Sequence, residues 1–303
     1  MLKIASPLRA FRTRDAPPEA LAARTNISMT LRESVRFSSI VERADRLFGS
    51  YNAAPLYYDL AFRAASRWGV STFNYGYAPL SSAVANDETG SEPYQLEMYK
   101  QAAEAVGVET LRGAVVLEVS CGLGGGLAYL TRTFGIGTAV ALDRALPGVR
   151  SATGRFELCG VKADALSLPL STGSVDLVLN VEASHVYWGA PFLDEVRRVL
   201  KPGGRLALID SRDLTPNEAR AYLSENFEKS GLRLTSFRDI TTNVIDSCVA
   251  DTPRREALLD RLPFFLRPAL RPMLGVEGSS RYECFRSRKT TYFISTAATN
   301  LVG

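Results

Sequence analysis

The stretch from Val115 to Gly126, VVLEVSCGLGGG, decides how the rest of the chain is organised. It opens with an apolar run interrupted only by Glu118, which is typical of a buried parallel strand. Glycines at 122, 124, 125 and 126 allow a sharp turn and a close approach of a ligand to the backbone. The residues from Leu127 onward favour a helix whose first N–H groups are unpaired. The stretch therefore predicts a strand, a glycine turn and a helix that hold a nucleotide-like ligand.

Two common nucleotide-binding motifs do not fit this turn. A dinucleotide fingerprint requires glycine where Leu127 stands, and a phosphate-binding loop requires a Gly-Lys-Ser/Thr triplet, which does not follow. The charge of Glu118 suits a cationic ligand or a ligand amine better than a pyrophosphate. The pattern resembles motif I of the class I S-adenosylmethionine (SAM) methyltransferases. Glu118 stands at the acid of this motif, Ser120 stands where the motif has its first glycine, and the Cys-Gly-x-Gly form is present as Cys121, Gly122 and Gly124. The resemblance implies that these residues hold SAM, with Glu118 at the methionine end, binding its ammonium through the backbone or a water.

Composition restricts the class of protein. With 303 residues, 46% of them apolar and 22% charged, the chain suits one sizeable soluble domain with additions. The net charge of +4 is small and the basic residues are scattered, so nothing favours a nucleic-acid partner. No window reaches about 18 uninterrupted apolar residues, so no transmembrane helix is predicted. Four dispersed cysteines favour free thiols and a cytoplasmic protein, and a single histidine gives no metal site.

The chain divides into four predicted segments: a flexible basic tail (1–28), a helical cap with an aromatic lid (29–108), a SAM-binding α/β core (109–245), and a C-terminal insertion that lines the substrate pocket, with the final strand (246–303). The lid contains the aromatic segment, residues 73–79, which reads FNYGYAP. We expect Tyr75 or Tyr77 to close over the cofactor carboxylate, although the same aromatic residues would also suit a core plug. The basic tail and the proline-rich residues 262–274 give no firm evidence for membrane contact.

The core segment alternates apolar strands with short helices, which predicts βαβ units. We expect a Rossmann-like, seven-stranded, mostly parallel sheet with helices on both faces. Four local expectations accompany this fold: a short segment after Asp143 that contains Pro147, a turn at Lys201–Gly204, a strand over 232–244 followed by a helix from 246, and no continuous helix in 262–274 because of its prolines.

Polar residues end successive predicted strands, where an open α/β sheet binds its ligand. Asp143 ends the second strand, about 20 residues past the first glycine, where an acid accepts hydrogen bonds from ribose hydroxyls. Asp164 and Ala165 follow the third strand and are expected to meet the adenine amino group and a ring nitrogen. Asn180 ends the fourth strand and is a further candidate for cofactor contact.

Glu182 and His185 follow Asn180 at the place where a reacting group would sit, and both are candidate catalytic residues. His185 is the one histidine of the sequence. A single imidazole titrates near neutral pH and can take a proton from an attacking hydroxyl. The alternative role for His185 is a loop residue that only orients its neighbours.

Two longer stretches narrow the resemblance. The chain is similar to the phthiotriolone/phenolphthiotriolone dimycocerosate methyltransferases at residues 117–126, LEVSCGLGGG, and at residues 179–187, LNVEASHVY. That family O-methylates a hydroxyl on a polyketide-derived lipid. The resemblance implies a SAM-dependent O-methyltransferase for an apolar small molecule, as monomer or homodimer. C-methylation of a quinone, polyketide or isoprenoid carbon is the alternative. A non-methylating SAM-binding enzyme or a pocket protein on the same fold is a further alternative.

Overall fold

The computed structural model describes residues 50–81, 92–264 and 267–299. The predicted basic tail and the first part of the predicted cap lie outside these residues. In chain order the main elements are α1 (Ser50–Arg67), α2 (Pro93–Val106), β1 (Val115–Val119), α3 (Gly125–Phe134), β2 (Thr138–Asp143), α4 (Leu146–Phe156), β3 (Cys159–Lys162), β4 (Val175–Val181), α5 (Ala190–Val199), β5 (Leu200–Arg212), α6 (Pro216–Lys229), β6 (Leu232–Asp239), α7 (Thr241–Leu259), α8 (Arg267–Met273), α9 (Ser280–Arg286) and β7 (Thr291–Thr299).

The strands form one seven-stranded sheet in the order β3-β2-β1-β4-β5-β7-β6. Pairs among β1 to β5 are parallel, and β7 runs antiparallel to both β5 and β6. This confirms the predicted mostly parallel α/β sheet. The strand order reverses between β1 and β4, and such a reversal opens a crevice at the carboxyl ends of the strands.

Alternate residues of β1 point into two cores on opposite faces of the sheet. Val116 packs with residues of α2, α3, α7 and α9, whereas Leu117 packs with residues of α5 and α6. A smaller cluster joins Phe62 and Ala65 of α1 to Leu123 of the glycine turn. Helix α1 therefore covers the turn at the carboxyl end of β1.

One local expectation about a segment with a proline was wrong, and another was confirmed. The short segment expected after Asp143 is the eleven-residue helix α4, and Pro147 lies in its first turn. The proline-rich stretch 262–274 has no continuous helix, as expected: residues 262–264 are not helical, and α8 has seven residues, with Pro268 in its first turn and Pro272 near its end. A proline in the first turn costs no hydrogen bond, because the N–H groups of a first helical turn have no partner within the helix.

Two predicted boundaries also differ from the structure. The turn expected at Lys201–Gly204 is part of β5, and an irregular register against β4 absorbs it. Strand β6 ends at Asp239 and helix α7 begins at Thr241, because the Asp239 carboxylate accepts the Thr241 backbone N–H at 2.9 Å. No helix within the described ranges is long and apolar enough to cross a membrane.

Candidate active site

The glycine turn after β1 is held by backbone geometry that few residues adopt. Gly122 and Gly124 have φ values of +56° and +87°, and Ser120 has +61°. A Cβ on Gly124 would lie 2.8 Å from the Ala152 Cβ of α4. A Cβ on Gly126 would lie 1.9 Å from the ring of Tyr99. Gly124 and Gly126 are thus required by packing against neighbouring helices as well as by the turn.

Glu118 is fully buried beneath this turn. Its Oε1 accepts a hydrogen bond of 2.7 Å from the Tyr99 hydroxyl, while Oε2 has no hydrogen-bond partner among the described residues. Burial raises the pKa of Glu118 to about 8. A buried carboxylate oxygen without a donor fits the ammonium group that SAM would bring, because a cation there would favour the ionised form.

Asp143 lies at the end of β2 and faces the same turn. Its two carboxylate oxygens accept the backbone N–H groups of Gly122 at 2.9 Å and Ala145 at 2.8 Å. Burial raises the pKa of Asp143 to about 6, although these N–H groups act in the opposite direction. Each oxygen keeps a second lone pair for a hydroxyl donor, so the residue suits the predicted ribose contact.

Asp164 and Ala165 lie in the loop after β3, as the prediction required. The Asp164 Oδ1 accepts the Leu166 N–H at 2.9 Å, and its Oδ2 lies 3.9 Å from the Arg144 Nε. Ala165 is buried beside them. Asp164 therefore stabilises the conformation of its own loop. The predicted contact between Asp164 and an adenine stays a prediction.

Ser120, which replaces the first glycine of the motif, is tied to the loop after β4. The Ser120 and Tyr187 hydroxyls lie 2.8 Å apart. The Asn180 amide donates to the Tyr187 hydroxyl at 2.7 Å and to the Val119 carbonyl at 2.9 Å. Asn180 is fully buried, and its Oδ1 has no partner among the described residues. Tyr187, which the sequence reasoning did not select, thus joins the predicted cofactor turn to the loop that carries His185.

His185 lies in a short 3-10 helix after β4 and forms a pair with Asp210 of β5. The His185 Nδ1 lies 3.0 Å from the Asp210 Oδ1, and the His185 backbone N–H donates to Oδ2 at 2.9 Å. Ser184 and Arg212 also contact the Asp210 carboxylate. Because Asp210 accepts at Nδ1, the Nε2 of the ring is left with a lone pair. The side chain is 43% exposed, so part of the ring is open to another molecule.

The electrostatics of this pair are set by mutual attraction. Burial alone would raise the pKa of Asp210, but His185, Arg212 and hydrogen bonds hold it well below its usual range. For His185, burial acts to lower the pKa, and the Asp210 carboxylate outweighs it and raises the pKa above 6.5. Asp210 was missed as a site residue. The signal was available, since Asp210 is an acid near the carboxyl end of a predicted strand.

Glu182 connects the site to the aromatic segment. Its φ is +52°, and its Oε1 accepts the Tyr75 backbone N–H at 2.6 Å. Burial raises the pKa of Glu182 to about 7, and His185 acts to lower it. The Tyr75 ring packs edge-on against Phe285, with ring centres 5.3 Å apart. The guanidinium of Arg281, on α9, lies beside the Tyr75 side chain and near Glu182, and it too was missed.

The structure separates the two predicted lid tyrosines. Tyr75 belongs to the cluster just described, whereas Tyr77 contacts Tyr94 through its backbone and lies under the guanidinium of Arg238 on β6. These contacts lie away from the glycine turn. The role of covering the cofactor carboxylate is thus a prediction for Tyr75, and the contacts of Tyr77 do not favour it.

Buried polar residues fix the backbone around Tyr75. The carboxylate of Glu92 accepts both the N–H and the hydroxyl of Ser71, at 2.7 and 2.6 Å. Arg255, which is 2% exposed, donates to the Tyr75 carbonyl at 2.6 Å and to the Gly275 carbonyl at 2.9 Å. These contacts join distant parts of the chain, so no local sequence signal could have identified Glu92 or Arg255.

Metal ligands are not gathered in the part of the chain that the structure describes. No group of three or more His, Cys, Asp or Glu residues there could hold a metal ion. Cys121 is buried in the turn, and burial raises its pKa well above that of an ordinary thiol.

Comparison with known proteins places this geometry in context. Residues 117–208 match the Methyltransferase domain family. A phthiotriol/phenolphthiotriol dimycocerosates methyltransferase of Mycobacterium leprae is 39% identical over 204 residues, 64% of this chain and 73% of that protein. A fatty-acid O-methyltransferase of Mycolicibacterium smegmatis is 33% identical over 272 residues, 84% of this chain and 95% of that protein.

The same fold occurs among solved structures. Geranyl diphosphate C-methyltransferase from Streptomyces coelicolor A3(2), solved with Mg²⁺, geranyl-S-thiolodiphosphate and S-adenosyl-L-homocysteine, gives a TM-score of 0.59 at 16% identity. The match covers 82% of this chain and 98% of that one. At this identity the likeness concerns the fold.

Proposed function

Because the chain belongs to the SAM-dependent methyltransferase family that includes the phthiotriol/phenolphthiotriol dimycocerosates methyltransferases, we propose that it O-methylates a hydroxyl group of an apolar small molecule. The proposed acceptor is a polyketide- or lipid-type metabolite. Support comes from the relatives, a dimycocerosates methyltransferase and a fatty-acid O-methyltransferase. The Tyr75 ring, which packs on the fully buried side chains of Phe285 and Tyr292, adds a partly exposed apolar surface beside Glu182.

The His185–Asp210 pair is the observation that carries the proposal. A hydroxyl is a weak nucleophile until its proton leaves, and the base of this cluster is Nε2 of the partly exposed His185 ring. Asp210 holds the ring orientation through Nδ1 and stabilises the imidazolium that forms when Nε2 takes the proton. General-base assistance of this kind typically contributes 10²–10⁴-fold to a rate, on the order of 3–5 kcal/mol.

Bound SAM would supply an electrophilic methyl group. Glu118 would hold its methionine ammonium and Asp143 its ribose hydroxyls, and the rigid turn fixes the separation of these two carboxylates. The remaining task of the chain is to align the acceptor, and alignment of two reactants can contribute roughly 7–11 kcal/mol to lowering a barrier. The partly exposed Tyr75 ring, held on the fixed backbone of the aromatic segment, would contribute to this alignment and help to exclude water.

The proposal is tested by measuring methyl transfer from labelled SAM to a panel of hydroxylated polyketides and lipids. His185→Ala should reduce kcat by about 10²–10⁴-fold. Binding of SAM, measured by calorimetry, should be retained in that variant. Asp143→Ala should weaken SAM binding at least about tenfold, which is 1.4 kcal/mol. A loss of less than about tenfold in kcat for His185→Ala would remove the base assignment, and no SAM binding by the wild type would overturn the cofactor assignment.

The pH profile gives an independent readout of the pair. His185 must be neutral to accept a proton, and its pKa is raised by Asp210, so activity should rise with pH through a midpoint above 6.5. Asp210→Asn removes the charge that favours the imidazolium, which should move this midpoint to lower pH and reduce kcat. Asp194→Asn, on the exposed side of α5, is the matched control and should leave the midpoint unchanged.

A second candidate, methyl-ester formation on a carboxylic acid, is favoured by Arg281. Its side chain is largely buried beside Tyr75, and it interacts with the Glu182 and Asp213 carboxylates, although no described carboxylate lies within 4 Å of its guanidinium. An arginine in this position would hold an acceptor carboxylate, which is already ionised at neutral pH and needs no base. In that case Arg281→Gln should raise KM strongly while His185→Ala has little effect.

The product distinguishes the candidates. A methyl ether keeps its methyl group in mild alkali, whereas a methyl ester releases methanol. A C-methylated product keeps all of its hydroxyl groups, and such a product together with a small effect of His185→Ala would favour the C-methylation alternative.

A further inference from the structure

A groove on the outer surface of the molecule, between α1 and α4, carries an unusual concentration of positive charge. It has a volume of about 450 Å³ and is lined by Phe62, Arg63, Ser66, Arg67, Pro147, Arg150, Ser151, Gly154 and Arg155. Four of these nine residues are arginines, and no acidic residue is among them. The catalytic proposal makes no use of this groove.

Three of the arginines face the groove without a described counter-ion. No carboxylate among the described residues lies within 4 Å of the guanidinium of Arg63, Arg67 or Arg150. The fourth, Arg155, donates to the carbonyls of Val70 and Gly69 at 3.0 and 3.2 Å, which fixes its position. Like charges gathered in one groove repel one another, and a bound anion would relieve that repulsion.

A buried hydroxyl in the lining gives a second, independent indication. Ser151, on α4, is only 9% exposed, and its Oγ has no hydrogen-bond partner among the described residues. A buried polar atom usually has a hydrogen-bond partner, since a buried donor or acceptor without one costs about 1–3 kcal/mol. Ser151 lines the groove together with the guanidinium groups, so an unpaired buried hydroxyl lies in its wall.

We infer that the groove between α1 and α4 binds a phosphate group, held by Arg63, Arg67 and Arg150 above the unpaired hydroxyl of Ser151. Guanidinium groups form paired, charge-assisted hydrogen bonds to phosphate oxygens, and several arginines match the multiple oxygens and charge of a phosphate better than a single carboxylate does. The open mouth of the groove leaves room for the rest of the ligand outside. Two sources share this chemistry: a soluble phosphorylated molecule and the head group of an anionic phospholipid.

The position of the groove gives the site a consequence for the cofactor turn. Phe62 lines the groove and also packs over the turn, where a Cβ on Gly122 would lie 3.7 Å from its ring. A phosphate that bridges α1 and α4 would hold α1 in place over the turn. Phosphate binding should therefore slow hydrogen exchange in the backbone of α1.

The experiment compares the full-length wild type with Arg63→Gln/Arg150→Gln. All the substituted side chains are exposed, so the fold should tolerate the change. The matched control is Arg220→Gln/Arg233→Gln, which removes the same charge from exposed positions on α6 and β6. Pyrophosphate binding is measured by calorimetry, and co-sedimentation is measured with phosphatidylglycerol vesicles and with phosphatidylcholine vesicles.

We expect saturable pyrophosphate binding by the wild type and the control, weakened at least tenfold in the groove variant. A lipid head group is the source of the phosphate if the protein binds phosphatidylglycerol vesicles but not phosphatidylcholine vesicles. In that case the groove variant alone should lose vesicle binding, and pyrophosphate should compete with the vesicles. Pyrophosphate binding without vesicle retention identifies a soluble phosphorylated ligand, and the inference holds in either case. It is overturned if neither probe binds, or if both double variants lose binding equally, because that outcome reflects net charge rather than a site.

Discussion

Removing the titratable group of Glu118 should make the cofactor-free protein lose less stability as the pH rises, while weakening its affinity for SAM. In the folded protein this carboxyl is buried and its pKa is raised from 4.5 to about 8. Between these two values the unfolded chain releases the proton more readily than the folded protein does. The stability of the wild type must therefore fall as the pH rises through this window.

The magnitude follows from the two pKa values. One pKa unit corresponds to about 1.4 kcal/mol, so the shift from 4.5 to about 8 costs roughly 4 to 5 kcal/mol when it is fully expressed. Between pH 5 and pH 8 the change is smaller, about 3 kcal/mol, because ionisation is incomplete at both limits. No reduction for solvent screening is needed, since Glu118 is fully buried.

Glu118→Gln keeps the shape of the side chain and the acceptor for the Tyr99 hydroxyl, but it does not titrate. The new amide has an unpaired donor in the place of Oε2, and this cost of about 1–3 kcal/mol is the same at every pH. The difference in free energy of unfolding between variant and wild type should therefore increase by about 3 kcal/mol from pH 5 to pH 8, whatever its value at pH 5.

The assay is urea denaturation of both proteins at pH 5, 6, 7 and 8, with Glu228→Gln on the exposed side of α6 as the matched control. The control should follow the wild type within about 0.5 kcal/mol at each pH. Calorimetry with SAM should show at least a tenfold loss of affinity in Glu118→Gln alone. A stability difference that changes by less than 1 kcal/mol across the range would refute the reasoning, because Glu118 would then titrate as an ordinary surface acid.

Three further outcomes follow from the site. Binding of SAM at pH 7 should release protons, and the affinity should increase from about pH 6 to pH 8. Burial raises the pKa of Asp143 to about 6 and that of Glu118 to about 8, and hydrogen-bond donors from the ligand favour the ionised form of both. Calorimetry in two buffers of different ionisation enthalpy measures the number of protons released. Tyr187→Phe should lower stability by about 1–3 kcal/mol in urea, because the buried Asn180 amide and the partly buried Ser120 hydroxyl lose a shared hydroxyl partner. Gly126→Ala should cost about 1–3 kcal/mol, because its Cβ would overlap the Tyr99 ring, whereas Gly154→Ala, with nothing within 4 Å of its Cβ, should raise stability slightly.

Each of these outcomes has a result that contradicts it. Proton uptake on SAM binding would reverse the assigned protonation of the buried acids. A change below 0.5 kcal/mol for Tyr187→Phe would mean that water replaces the hydroxyl. Equal effects of the two glycine substitutions would show that helix propensity alone, rather than the approach of α3 to Tyr99, explains the cost.

The features that the sequence determined are those that depend on neighbours along the chain. The glycine turn, the acid at 118 and the acid at 143 could be identified because strand, turn and helix follow one another within a few residues, and the polar group at a strand end is read directly from the pattern. The seven-stranded sheet followed from the same alternation. Sequence reasoning failed for the segment after Asp143, where a proline was read without its position: Pro147 lies in the first turn of α4, where it is compatible with a helix.

Only the tertiary structure decided which side chains meet. His185 was a candidate base from its position, but its partner Asp210 lies 25 residues away and becomes a neighbour because β4 and β5 pair in parallel. Arg281 reaches Tyr75 from more than 200 residues away along the chain. Such contacts depend on packing between elements whose order in the sheet differs from their order in the sequence, so the chain specifies them only once it is folded.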